Sequence, residues 1–188
     1  MFIGTNNICA TISVLSVNLI ITLVYVFIIS DEKRKKLFFL LPKFFQKLFV
    51  VFFVLPLIIS PPLSGEAVSS PGIMPGAIGV LLSLGGLILI LSAFLKIGLI
   101  PSIKSESAII ISGAYGIVRH PIYSGTIILY SGLVVFFQSS IALCYLPLSV
   151  LLYYVMTIYE EKDLIVIYGD AYLEYRKKVR ARLIPYVL

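Results

Sequence analysis

Four stretches of the chain, residues 1–30, 48–65, 67–95 and 120–159, contain no Asp, Glu, Lys or Arg. Uninterrupted charge-free runs of that length need an apolar solvent around them, because surface elements of a water-soluble protein carry charge at short intervals. Composition agrees: 60% of the 188 residues are hydrophobic and 13% are charged, against about 25% charged in an ordinary globular protein. A soluble fold is excluded. Crossing a bilayer core about 30 Å thick takes roughly 20 apolar residues as a helix. The four runs therefore predict an all-α integral membrane protein with five spans, near 8–29, 44–62, 73–95, 121–137 and 141–158, the last run holding two. Continuous apolar runs argue against a β-barrel, whose strands alternate over about ten residues.

The formal net charge of +6 raises the possibility of nucleic acid as a partner, but the placement of the charges removes it. Lys and Arg occupy positions 33–36, 43, 47, 96, 104, 119, 162, 176–178, 180 and 182. Five spans with the N-terminus outside put all fifteen on one side, which the positive-inside rule makes cytoplasmic. The outer segments 1–7, 63–72 and 138–140 carry no basic residue. The basic excess is thus topology plus attraction to anionic membrane lipids, not nucleic-acid binding. The first thirty residues lack a basic leader and are read as a retained span rather than a signal peptide. Cys9 and Cys144 have no metal-binding spacing and are expected as apolar filler.

Residues 1–99 are expected to form spans one to three with a membrane-surface connector at 31–47, and residues 100–188 to carry the chemistry. The outer turn at 60–72, rich in Pro and Gly, is a connector. Pro56 is expected to kink span two. In span three Gly72, Gly76, Gly79, Ser83 and Gly86 recur every three or four residues, which lines one helical face with small side chains and lets another helix approach closely.

Span four opens with Arg119-His120-Pro121-Ile122-Tyr123-Ser124-Gly125. Pro121 suits a first helical turn and pushes His120 toward an extended conformation, so the helix should begin abruptly there. The free amides of that turn and the positive end of the helix dipole favour an anion, with Arg119 beside them. Glu160 and Glu161 follow span five and break the basic pattern of the cytoplasmic side. Beyond them Leu164, Tyr168, Tyr172, Tyr175 and Val179 recur at helical spacing, as an amphipathic segment that Gly169 divides and Asp170 caps.

Residues 112–125, Ser-Gly-Ala-Tyr-Gly-Ile-Val-Arg-His-Pro-Ile-Tyr-Ser-Gly, followed after one hairpin by Glu160-Glu161, Leu164, Tyr168-Gly169, Tyr172, Tyr175, Val179 and Pro185, resemble the isoprenylcysteine carboxyl methyltransferase and phospholipid methyltransferase superfamily. The resemblance covers about residues 100–186. It implies transfer of a methyl group from S-adenosylmethionine to a lipophilic acceptor at the cytoplasmic membrane face. It also implies a small cytoplasmic cap built from the loop before span four and the C-terminal helices. Carried over position by position, the cofactor contacts fall on Ser107, Ala108, Ile109, Ile110, Tyr115, His120, Pro121, Ile122, Tyr123 and Glu160, while Arg119 and Glu161 complete the signature as catalytic candidates.

These residue types suit the chemistry. The sulfonium of S-adenosylmethionine already activates its methyl group, so the protein mainly has to align acceptor, methyl and sulfur. The methionyl carboxylate is expected at the Arg119-to-Tyr123 helix start, with Glu160 on the amino group or ribose hydroxyls. A carboxylate acceptor needs only a cation such as Arg119 to place it. An amine acceptor must lose a proton, to Glu161 or His120. The first reading is O-methylation of a prenylcysteine-like carboxylate entering from the bilayer, and the alternative is N-methylation of a phospholipid amine. With no Gly-x-Gly-x-x-Gly after a strand, a Rossmann-type methyltransferase is excluded. A nicotinamide-dependent membrane reductase, in a group that has more spans, and a non-catalytic scaffold that uses the glycine face are the competing classes.

Overall fold

The computed structural model describes residues 3–64, 72–97 and 110–184. Among them all the regular structure is helical, with no strand. The helices are α1 (Ile3–Ile29), α2 (Glu32–Leu40), α3 (Lys43–Leu63), α4 (Ile73–Ile97), α5 (Pro121–Phe137), α6 (Ser140–Tyr168) and α7 (Asp170–Lys178), with a 3-10 turn at Gly113–Gly116 before α5. Stretches within α1, α4 and α6 are long and apolar enough to cross a membrane, and α3 and α5 contribute the shorter apolar stretches Val51–Leu63 and Pro121–Phe137. A helix satisfies its own backbone, which is why apolar runs in lipid resolve into this structure.

Three boundaries differ from expectation. Helix α6 continues to Tyr168, so Glu160 and Glu161 lie on it rather than after it. Its 29 residues span about 43 Å, more than a bilayer core, and its charged residues Glu160, Glu161, Lys162 and Asp163 fall in its last turns. Helix α3 runs through Pro61 and Pro62 instead of turning at residue 60. Pro61 has no N–H to give to the Leu57 carbonyl, and the buried Ser60 hydroxyl turns toward that carbonyl instead, at 3.5 Å. Asp170 is the first residue of α7 rather than its cap. Gly169, at φ 53°, makes the break and takes the cap position. Cys9 and Cys144 are both free, on the exposed faces of α1 and α6. In α2 the Asp31 carboxylate accepts from the Lys33 and Arg34 amides and holds the start of the connector.

Gly79, Ser83 and Gly86 of the predicted small-residue face form the seam between α4 and α5, the most extensively packed pair of helices, while Gly72 lies before α4 and is exposed. A Cβ on Gly86 would come within 2.6 Å of the Gly125 carbonyl oxygen and closer still to the Leu129 amide. One on Gly79 would meet the Phe136 amide nitrogen at 2.7 Å, and one on Gly132 the Gly79 carbonyl oxygen at 2.7 Å. These neighbours are backbone and cannot give way. Gly86→Leu should therefore destabilise the protein by about 1–3 kcal/mol through overpacking. Gly85→Ala, next to it but with open space at its Cβ, should be neutral or stabilising by up to about 1 kcal/mol. Thermal unfolding of the two variants in detergent checks the contrast, and equal behaviour would contradict the seam.

Helices α1, α3 and α6 meet at Asn18. Its amide Nδ2 donates to the Phe53 carbonyl at 2.5 Å, and its Oδ1 accepts from the Tyr145 hydroxyl at 2.8 Å. The core beside it, which includes Leu57, Ile127, Tyr130, Tyr153 and Met156, also contains Leu183 from beyond α7. The chain after α7 thus returns as a strap under the start of α5.

Candidate active site

The site is assembled where the start of α5, the charged last turns of α6 and the strap converge. Pro121 is the first residue of α5, with His120 just outside the helix at φ −123° and ψ 65°, short of the fully extended conformation expected but out of the helical region that the Pro121 ring disfavours. The Arg119 and His120 amides donate to the carbonyls of Ala181 (3.0 Å) and Arg182 (3.1 Å), which tie this segment to the strap. The Ser124 hydroxyl lies 2.6 Å from the Leu183 carbonyl oxygen and 3.0 Å from that of His120. Tyr175 of α7 donates from its hydroxyl to the Tyr115 carbonyl at 2.7 Å, which ties the 3-10 turn to the same platform.

Glu161, with a side chain only 3% exposed, sits at the centre. It accepts from Arg119 Nε at 2.8 Å and from Arg182 through Nε at 3.1 Å and Nη2 at 2.9 Å, with Arg176 Nε at 3.7 Å. His120 Nε2 is 3.4 Å away, close enough for ionic attraction but not aligned for a hydrogen bond. A carboxylate so surrounded by cations does not take up a proton near neutral pH, so the role of base expected for Glu161 is not what its environment supports. Arg119 is equally committed: besides Glu161, its Nη1 donates to the carbonyls of Val179 (2.8 Å) and Arg180 (2.6 Å). It is a clamp within the chain rather than the cation that places an acceptor.

Glu160 faces differently. Its side chain is 29% exposed, it accepts from the Tyr123 hydroxyl, and its Oε2 is 3.4 Å from His120 Nδ1. His120 is thus held between two carboxylates. Burial, the largest single influence, works to lower its pKa, but the attraction of Glu160 and Glu161 outweighs it and raises the value above the ordinary 6.5. The imidazole is biased toward its charged form and away from service as a base. A folded-state pKa above the unfolded value contributes stability that is full below about pH 6.5 and fades as pH rises through the raised value. His120→Gln should therefore flatten the loss of stability on the alkaline side of neutrality, read from unfolding midpoints at several pH values. An unchanged pH slope would contradict this.

Of the other predicted contacts, Ile110 is half-buried before the 3-10 turn, Tyr115 is buried within it, and Pro121, Ile122 and Tyr123 form the first turn of α5. Ser107, Ala108 and Ile109 lie outside the described residues. The Tyr123 ring stands 5.3 Å from that of Tyr153, which stacks on Phe53 at 4.9 Å. Sequence reasoning gave no site role to Ser124, Arg176 or Arg182. The two arginines belong to the cytoplasmic basic residues, and no local spacing signals their contact with Glu161.

The family model for phospholipid methyltransferases matches residues 75–171, just over half of the chain, from α4 to the start of α7. No curated protein and no solved structure matches. The match contains the α4–α5 seam, the Arg119-to-Tyr123 helix start and both glutamates. The protein is thus a membrane methyltransferase, and the chain belongs to the phospholipid methyltransferase family.

Proposed function

We propose that this enzyme transfers the methyl group of S-adenosylmethionine to a lipophilic acceptor at the cytoplasmic face of a membrane, as a bundle of five crossings with its N-terminus outside and its C-terminus inside. The observation that carries the reading is the direct contact between the start of α5 and Glu160 of α6, two places 37 residues apart that meet through Tyr123 and His120.

The residues on hand suit the charged half of the cofactor. The Ser124 amide is the first of α5 to pair back along the helix, onto the His120 carbonyl, and no side chain caps this helix start. The Ile122 and Tyr123 amides therefore have no partner within the helix and can receive a carboxylate. Glu160, still partly accessible, suits an ammonium or ribose hydroxyls. Bound there, S-adenosylmethionine supplies an electrophilic methyl group on a sulfonium. The aromatic faces of Tyr123 and Tyr153 and the Glu160 charge favour a cation in their vicinity. The Glu161 cluster holds the α5 start and α6 in register, so that these groups converge without moving.

For the acceptor, the engagement of Glu161 by guanidinium groups and of His120 by two carboxylates supports a group that needs no deprotonation, a carboxylate on a prenylcysteine-like amphiphile. The family match favours a second reading, the amine of a phospholipid. Transfer of labelled methyl from S-adenosylmethionine in membranes, over a panel of both acceptors, separates them. Label released by alkali marks an ester and stable label an amine. No transfer to either class would overturn the proposal.

A further inference from the structure

A hollow of about 630 Å³ opens beside the Glu161 cluster, between α7, Arg119 and the strap. That volume is in the range of small-molecule sites. Four cations line it, Arg119, Arg176, Lys177 and Arg180, against two carboxylates, Asp170 and Glu174. Lys177 and Glu174 satisfy each other at 2.6 Å, and Arg119 is bound to Glu161 and to two carbonyls. Two arginines are left over. Arg176 stands 3.7 Å from Glu161 without a hydrogen bond to it, and its side chain is 37% exposed. Glu161 is already shared with Arg119 and Arg182 and has little charge to spare for a third partner. The Arg180 guanidinium has neither an ion pair nor a hydrogen bond among the described residues. Asp170 lies six residues before Arg176, about 9 Å back along α7, and so leaves the arginine end of the hollow positive.

A buried donor without a partner lies next to the same arginines. Tyr172 is 2% exposed, and its hydroxyl has no hydrogen-bond partner. Burial and then the Glu161 charge raise its pKa above the ordinary 10, against the pull of Arg119 and Arg176, both of which line the hollow. The hydroxyl therefore keeps its proton at neutral pH, and leaving it unpaired is costly. The carbonyls at the end of α7, which would repel an anion, are taken up: that of Tyr175 by the Val179 amide, those of Val179 and Arg180 by Arg119. Guanidinium groups without a counter-charge beside an orphaned O–H suit an oxyanion with several acceptor oxygens, and the arginine fork matches phosphate.

We propose that the arginine end of this hollow binds a phosphate group, held by Arg176 and Arg180 and completed by the Tyr172 hydroxyl. Two sources carry that chemistry, the headgroup of an anionic membrane lipid and free phosphate. Bound there, the anion ties α7 to the strap that passes under the start of α5. The site is separate from Glu160 and the helix start assigned to the methyl donor, and it does not depend on that assignment.

Calorimetric titration of the protein in uncharged detergent, at constant ionic strength in chloride, tests this with two probes. They are inorganic phosphate and dihexanoyl phosphatidic acid, a short-chain lipid with a phosphate monoester headgroup. Binding should saturate. Arg180→Gln should weaken it about tenfold, as loss of a charge-assisted hydrogen bond does. Tyr172→Phe should also weaken it without lowering the unfolding midpoint, because the hydroxyl has no partner in the chain to lose. Lys178→Gln, which removes an exposed charge outside the lining, should leave affinity unchanged. Tighter binding of the lipid supports a membrane headgroup as the source, and equal binding supports free phosphate. No saturable binding of either probe, full affinity in both Arg180→Gln and Tyr172→Phe, an equal loss in Lys178→Gln, or displacement of the probes by S-adenosylhomocysteine would overturn the proposal. The readout involves no methyl transfer, so its failure leaves the proposed reaction standing.

Discussion

Glu161→Ala should lower the apparent unfolding midpoint in detergent by about 10 °C and abolish methyl transfer. The side chain is buried, and its removal leaves Arg119, Arg182 and His120 facing one another without the anion that holds them together. Breaking a buried ion pair by deleting one partner costs about 3–5 kcal/mol, and for a chain of this size each kcal/mol moves the midpoint by about 2–4 °C. The damage should reach the site because the same carboxylate joins α6 to the start of α5 and to the strap. Glu161→Gln, which keeps the shape and part of the hydrogen bonding, should lose less stability. Arg182→Ala should fall between them, since Arg119 still pairs with Glu161. Midpoints from thermal scans of the purified variants decide the matter. An unshifted Glu161→Ala protein would mean that the cluster does not hold the fold.

Glu160→Gln should give the opposite profile, near-native stability with weak cofactor binding. Glu160 is partly exposed and accepts from Tyr123, an interaction that an amide oxygen can also accept. The substitution removes only the charge. A charged hydrogen bond contributes about 1.5–3 kcal/mol, so affinity for S-adenosylhomocysteine should fall by roughly 10- to 100-fold, measured by calorimetry on the detergent-purified protein. Tyr123→Phe should weaken binding less, because it leaves Glu160 charged but no longer steadied. Unchanged affinity in Glu160→Gln would remove this residue from the cofactor site and leave the Glu161 prediction untouched. The two neighbouring glutamates thus separate by experiment into one that holds the structure and one that meets the ligand.

Helix positions were readable from residue order because lipid enforces a local rule: each apolar run must satisfy its own backbone, so the charge-free runs resolve into apolar helices, the last run into two. The abrupt beginning at Pro121 and the small-residue face of α4 are likewise local matters of ring geometry and side-chain size. Both appear where residue spacing put them. What spacing could not reveal is the partner of each charge. Arg119 looked available, yet it is taken up by Glu161, 42 residues away, and by strap carbonyls 60 and 61 residues away. Glu161 looked like a base, yet Arg182 and Arg176 of the tail close around it. In a poorly solvated interior an ion pair forms with whichever counter-charge the packing brings near. That choice depends on how α5, α6 and the strap converge, a property of the whole bundle that no single segment encodes.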